Sequence, residues 1–460
     1  MEVNEYLVII MFLTFIVLLF TGIPVAYVLA GTGVLFTGVG YLSDQYLDTI
    51  TGLDFLTLGL MVNRLFKIMS NWVLVALPMF IYMGLMLDRS DVARKLMLSM
   101  QNLFGRLRGG LAITVTAIGV LLAASTGIIG ASVVLLGMLA LPSMLEQKYS
   151  KELAVGTICS AGTLGILIPP SIMLVVMADQ LSISVGDLFM GAVFPGILLS
   201  ILYFLYIVII GLLHPHKAPL HPKRKPLSLD VLWDVFKSVL PPVILILSVL
   251  GSIFAGIATP TEASGIGALG ATILAAYNKK LTLKILKEVL YQTMNTTAFI
   301  MAIFIAASCF SLVLRELGGD EFIEKLLTAI PFGNYGVILT ILFMVFVLGF
   351  FLDWIEITLI ILPLVAPIIS AMEFSNASLA LLENGSLIWF TLLVAITLQT
   401  SFLTPPVGFA IFYLKGVAPK EVKLIHIYKG VIPFVMLQLL ALGIVFLFPG
   451  IVTWLPSVSY

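Results

Sequence analysis

Two proline doublets sit inside apolar runs long enough to cross a bilayer, and that conflict limits the fold more than any other feature. "GTLGILIPPS" (residues 162–171) and "QTSFLTPPVG" (399–408) place Pro169-Pro170 and Pro405-Pro406 in similar surroundings, 236 positions apart (405 − 169). A proline inside a helix removes an amide donor and collides with a carbonyl one turn earlier. In hydrocarbon each stranded backbone group costs several kcal/mol, so such breaks persist only against protein or a cavity. Two of them in matching places predict a binding site built twice from discontinuous helices.

The rest of the chain agrees with a membrane setting. Of 460 residues, 60% are hydrophobic and only 10% charged, where a soluble domain averages roughly 25% charged. The formal net charge of zero gives no footing for nucleic acid. Cys159 and Cys309 lie in apolar segments and read as buried small hydrophobes, with neither disulfide nor metal spacing. The acidic start "MEVNEYLVII" lacks the basic region of a cleaved signal peptide and is read as leading straight into the first membrane element.

Apolar stretches fall at 6–40, 71–88, 110–145, 153–178, 188–213, 239–277, 289–314, 336–371, 386–412 and 430–456. Those much longer than the ~20 residues of one crossing must hold two passes or a re-entrant hairpin. Putting 89–108, 146–152, 214–238, 278–288 and 413–429 in the cytoplasm gathers nearly all basic residues there, as the positive-inside rule asks. Only Arg64, Lys67, Arg315 and Lys325 remain outside. The N-terminus is then periplasmic, and 6–40 is a double pass broken near "TGIP".

The basic connector "HPHKAPLHPKRKPLS" (214–228) divides the chain nearly in half, and the halves correspond in order. "TGIPVAYVLAGTGVLF" answers "AGIATPTEASGIGALG", "DVARKLM" answers "DEFIEKLL", and "GMLALPSM" answers "IILPLVAPI". The proline doublets correspond, and "GAVFPG" answers "KGVIPF". By the charge assignment one half starts outside and the other inside, which is the inverted repeat of secondary transporters. The expected units are a first repeat 1–213, a cytoplasmic basic linker 214–238 and a second repeat 239–460. The expected fold is an all-α polytopic membrane protein. It has two re-entrant hairpins, 110–145 and 336–371, and two broken helices, 153–178 and 386–412.

A broken helix offers carbonyls suited to Na⁺ at the end of its first half. At the start of its second half it offers amides, and a positive dipole pole suited to a carboxylate. Thr404 is expected as an N-cap with Pro405 as first helical residue, and Pro170-Ser171 opens the other half-helix. Gly162 and Gly165 allow a hairpin to approach closely. Asp353 and Glu356, near the second hairpin tip, are acids that membrane burial makes costly unless they work or cap a helix. Glu262 in "TPTEA" reads as a cap. "GIGALG" (265–270) follows no strand and is read as helix packing rather than a nucleotide loop. His214, His216, His221 and His426 read as solvated, and no catalytic set is found, so an enzyme is not expected.

"GTLGILIPPS", "SVGDLFMGAVFPG", "GIATPTEAS", "GFFLDWIEITLIILPLVAPI" and "LTPPVGFAIFYLKGVAP" together resemble the signature blocks of the large, DctM-like membrane subunit of TRAP (tripartite ATP-independent periplasmic) transporters. The resemblance runs along nearly the whole chain. It implies Na⁺-coupled elevator transport of an organic carboxylate, in the cytoplasmic (inner) membrane. It also implies two partners, a separate small four-helix membrane subunit and a periplasmic substrate-binding protein. It maps one Na⁺ to Gly165, Ile168 and Pro170 facing Ser125, Thr126 and Gly127. A second maps to Ser401, Thr404 and Val407 facing Gly349 and Asp353. Ser171, Asp353, Glu356 and Pro405 are the candidate substrate contacts. Two positions depart from the family pattern: the first tip reads Thr126-Gly127-Ile128 in place of Ser-Gly-Ser, and Ser401 replaces a usual glycine. The rival reading is another ion-coupled organic-anion carrier of similar hairpin architecture working without a binding protein.

Overall fold

The structure, a computed structural model, describes residues 3–46, 49–126, 129–220, 228–330, 333–374 and 376–459; the side chains of 123–126 are not among those described. All regular structure among them is helical. Among the described residues eight helices are long and apolar enough to cross a membrane, or nine counting one span bent by 61°.

The predicted double pass is α1 (Val3–Leu19) and α2 (Val25–Tyr46), broken at "TGIP". The bent span follows as α3 (Leu60–Met69) and α4 (Ala76–Arg89), then the short α5 (Val92–Phe104). The first hairpin is α6 (Gly110–Thr126) and α7 (Ile129–Glu146); the first broken helix is α8 (Lys151–Thr163) and α9 (Ile172–Leu181). The half closes with α10 (Val185–Leu213).

The order then recurs. A second double pass, α11 (Leu229–Phe254) and α12 (Pro260–Tyr277), leads into α13 (Leu283–Glu316) and the short α14 (Gly319–Thr328). The second hairpin is α15 (Gly333–Leu348) and α16 (Trp354–Ala371), the second broken helix α17 (Gly385–Leu403) and α18 (Phe409–Val417), and the closing helix α19 (Leu424–Leu447). A last helix, α20 (Gly450–Ser459), has no counterpart and packs on α10. Residues 229–238, expected in the linker, belong to α11.

Packing exchanges the two halves. α2 lies on α13 as α12 lies on α4; α7 lies on α18 as α16 lies on α9; α5 meets α11 as α14 meets α1. The broken helices run antiparallel, since Lys151 at the start of α8 donates to the Glu421 carbonyl beyond α18. They touch at equivalent positions: Gln399 Nε2 donates to Thr163 Oγ1 at 3.4 Å, each residue six before its proline doublet. This pseudo-twofold pairing is what an inverted repeat produces.

Burial separates a core from a surround. In α17, 94% of the apolar window is buried, against 22% in α11, which leaves Leu232, Trp233, Phe236, Ile244 and Leu247 exposed. α8, α9, α16 and α17 form the interior, with α1–α4 and α11–α13 around it.

The close helix approaches are made by glycine. A methyl on Gly156 of α8 would sit 2.1 Å from the Gly430 carbonyl of α19, and one on Gly162 would sit 2.4 Å from Val133 of α7. The latter is the hairpin contact expected of Gly162. In "GIGALG", Gly267 and Gly270 press on Met83 and Leu245, as helix packing requires.

Candidate functional site

Both breaks interrupt the backbone ladder as the sequence predicts. α8 tightens into a 3₁₀ turn, Leu164–Ile166, and Ser171 becomes the extended N-cap of α9. Pro169-Pro170 and Pro405-Pro406 are both cis. At the second break Thr404 is the C-cap of α17, its N–H donating to the Ser401 carbonyl and its hydroxyl to the Thr400 carbonyl. Its expected role as N-cap of the second half, with Pro405 as first helical residue, is therefore corrected. Residues 405–407 are spent on the turn, and the cap of α18 is Gly408, at a φ of 30° that a side chain rarely adopts.

Described residues of both hairpins meet beside these breaks. Ile129 and Gly130, opening the second arm of the first hairpin, share a cavity of about 140 Å³ with Asp353, Trp354 and Ile355 of the second tip. Ile172 at the start of α9, Phe409 and Tyr413 of α18, and Thr296, Phe299 and Ile300 of α13 close it. Gly130 lies under the Tyr413 ring, where a methyl would meet Cζ at 3.0 Å. Both half-helix N-termini bordering this space lack a side-chain cap. Ser150, Ser184, Ser228, Thr259 and Thr282 do cap α8, α10, α11, α12 and α13. An uncapped N-terminus keeps its first amides for another acceptor.

The predicted residues fall into three groups. Asp353 lines the cavity and also caps α16, Oδ1 accepting from the Trp354 N–H at 2.8 Å. Glu356 is buried one turn on, and its Oε2 has no partner among the described residues; the nearby Thr358 hydroxyl has none either. Ser171 is buried, with its hydroxyl donating to the Ile166 carbonyl at 2.8 Å, and Pro405 is half-buried outside the cavity lining.

Around the second break Ser401 and Gly349 come together. The Ser401 hydroxyl donates to the Phe346 carbonyl at 2.9 Å, and a methyl on Gly349 would lie 2.6 Å from Ser401 Oγ. The carbonyls of Phe402 and Thr404 approach Gly408, at 3.1 and 3.0 Å from where its Cβ would be. Val407 belongs to the same turn. Around the first break Gly165 and Pro170 are buried, while Ile168 packs on Gly196. Gly127 lies outside the described residues, as do the side chains of Ser125 and Thr126.

Some site residues were legible and missed. Thr296 belongs to "NTT" (295–297), a polar cluster inside the apolar run of α13. Tyr413, which the charge assignment put in the cytoplasmic stretch 413–429, instead belongs to α18, one helical turn after Phe409, and lines the cavity. Glu262 forms the capping box expected of it, its carboxylate accepting from the Thr259 N–H at 2.8 Å. Cys159 and Cys309 are buried and unbridged. Among the described residues no cluster could hold a metal through His, Cys, Asp or Glu.

Residues 12–451 match the family model described as tripartite ATP-independent periplasmic transporter, DctM component. The chain belongs to the DctM family. Its relatives are transporter permeases rather than enzymes. It is 28% identical over 471 residues to the C4-dicarboxylate TRAP transporter large permease protein DctM of Vibrio cholerae, covering 97% of each chain. The isethionate TRAP transporter permease protein DctMQ of Oleidesulfovibrio alaskensis is 25% identical over 406 residues; the match covers 88% of this chain and 61% of that longer one. Among solved structures, the YdaH transporter of Alcanivorax borkumensis is similar with a TM-score of 0.53 and 12% identity, covering 85% of this chain and 89% of that one. That likeness concerns the fold alone. As a DctM component the chain is one part of a system that includes a small membrane subunit and a periplasmic binding protein.

Proposed function

We propose that this DctM-family chain carries a small organic anion across the inner membrane with Na⁺, taking it from a periplasmic binding protein beside a separate four-helix subunit. One observation carries the reading: both hairpin tips and both uncapped half-helix N-termini border a single small cavity. Amide dipoles there favour a carboxylate or sulfonate. The cavity's 140 Å³ equals roughly four or five waters at about 30 Å³ each, which suits a compact solute. The solutes in the names of the two relatives, a C4-dicarboxylate and isethionate, are both small organic anions.

Na⁺ would sit at the second break, held by carbonyls of the 402–404 turn and the Ser401 hydroxyl, with Gly349 giving the room. Gly165, Ile168 and Pro170 would hold an equivalent ion at the first. The bound cation supplies charge that lets the anion enter a low-dielectric core. If two Na⁺ accompany a monoanion, one net charge enters per cycle, worth ~2.3 kcal/mol per 100 mV, or about fifty-fold accumulation.

Reconstituted with both partners in proteoliposomes, the chain is expected to take up its solute only with Na⁺ outside, and faster with an inside-negative potential. Uptake indifferent to Na⁺, or equal uptake by the chain without its partners, would sink the proposal.

A further inference from the structure

A second cavity, of about 470 Å³, lies between α3, α13, α16 and the end of α9, and its wall is polar. Three of the four basic residues on the face away from the basic loops, Arg64, Lys67 and Arg315, line it. Arg64 and Lys67 stand three residues apart on α3 and so share one side of that helix. Among the described residues neither is in an ion pair.

The wall also holds one carboxylate, Asp179, which keeps its charge and leaves three cations against one anion among the lining residues. Asp179 accepts from Asn71 with one oxygen and from Gln180 Nε2 at 3.0 Å with the other. Arg315 is held at the lip by Asp320 at 3.5 Å, and it reaches the Pro363 carbonyl of α16 at 3.4 Å. Arg64 and Arg315 line the same cavity. Two like charges are thus kept together, with one guanidinium nitrogen of Arg64 occupied by the Ser308 carbonyl at 3.3 Å.

This cavity and the smaller one are stacked along the same two helices. Ile300 of α13 and Ile355 of α16 line the small pocket; Phe304 and Leu359, each four residues further on, line the floor of the large one. At 1.5 Å per residue the step is about 6 Å, a single turn.

We propose that the large cavity is an antechamber in which Arg64 and Lys67 capture an organic anion, carboxylate or sulfonate, before it passes Phe304 and Leu359 to the inner pocket. The proposal rests on the transport reading for the use made of the anion, but not for its capture. A cationic cleft with low-dielectric walls concentrates counter-ions ten-fold or more, which would offset the dilution an anion meets on leaving a binding protein.

The test uses the full chain in phosphatidylcholine nanodiscs, with single cysteines at Ser308 or Ser311 in the cavity wall and at exposed Ala377 as control. Both native cysteines are buried, so the unmodified chain is the blank. Labelling rates are compared for anionic sulfonatoethyl and cationic trimethylammonioethyl methanethiosulfonate.

At Ser308→Cys the anionic-to-cationic rate ratio should exceed the control's by about tenfold. Arg64→Gln with Lys67→Gln should bring it to within about twofold of the control. Millimolar sodium succinate should slow the anionic reagent more than sodium chloride of equal ionic strength. A ratio equal to the control's at both positions, or one untouched by the two glutamines, overturns the proposal. Equal slowing by the two salts would mean screening without binding, and overturns it as well. Because labelling needs no transport, a failed uptake assay counts against the transport reading, while the labelling rates alone decide the antechamber.

Discussion

Acids buried in a membrane protein are expensive unless an ion or a partner answers them, and they mark ion and substrate paths for that reason. Glu356 is such an acid: it is 2% exposed, with one carboxylate oxygen unpartnered among the described residues. If the coupling cation or the substrate answers that oxygen, Glu356→Gln should keep the fold, because the amide has the same shape and no charge to bury. Thermal unfolding is expected within a few degrees of the parent, while Na⁺-dependent uptake falls at least tenfold. Unchanged uptake would make the residue structural. Gly349 makes a second case. A methyl there meets Ser401 at 2.6 Å, so Gly349→Ala should cost about 1–3 kcal/mol as overpacking. Adding Ser401→Gly should recover most of that loss, and a double-mutant cycle on melting temperature reads the coupling. At this scale the sequence displayed the types of residue but not their partners. Asp353 was visible as either a cap or a ligand, and only the distances reveal that it caps α16 while also facing the pocket.

The hairpins and broken helices were legible because lipid leaves glycine and proline few roles in an apolar run besides breaking a helix or packing one closely. The detail of the second break was not, since the rule that proline opens a helix cannot say how many residues a turn will take first. Residues 405–407 went to the turn, which moved the cap from Thr404 to Gly408. α3 was missed because Arg64 and Lys67 interrupt its apolar pattern and made it read as an outside loop. Glycines likewise look alike in sequence and differ in structure. Gly156 and Gly430 let α8 and α19 touch backbone to backbone, with 2.1 Å and 2.2 Å left for a methyl. Gly265, in the same "GIGALG" as two crowded glycines, has nothing within 4 Å. Gly156→Ala or Gly430→Ala must push two packed helices apart, and is expected to abolish a monodisperse peak on size-exclusion chromatography. Gly265→Ala should be tolerated, and even gain up to ~1 kcal/mol from helix propensity.

For the whole molecule, the pairing of halves was readable from five ordered matches, while the way they interlock was not. The contact of Thr163 with Gln399 and the exchanged pairs α2–α13 and α4–α12 depend on three-dimensional crossing that no single half contains. That interlocking divides the chain into a surround and a core holding the hairpins and breaks, meeting along α13 and α16 where both cavities lie. If transport is a sliding of this core past the surround, a covalent tie between the two must stop it, and a tie within the surround must not. Cysteines at Phe304 and Leu359 span the first boundary. Cysteines at Tyr82 and Thr272, whose side-chain oxygens lie 2.9 Å apart between α4 and α12, stay within the surround. Bridging 304 to 359 with a short, reducible bis-methanethiosulfonate should arrest Na⁺-driven uptake, and a reductant should restore it. Bridging 82 to 272 should leave the rate within about twofold, since no relative motion is required there. Arrest by both ties would point to motion inside the surround. Arrest by neither would mean that α16 opens locally while the core stays in place.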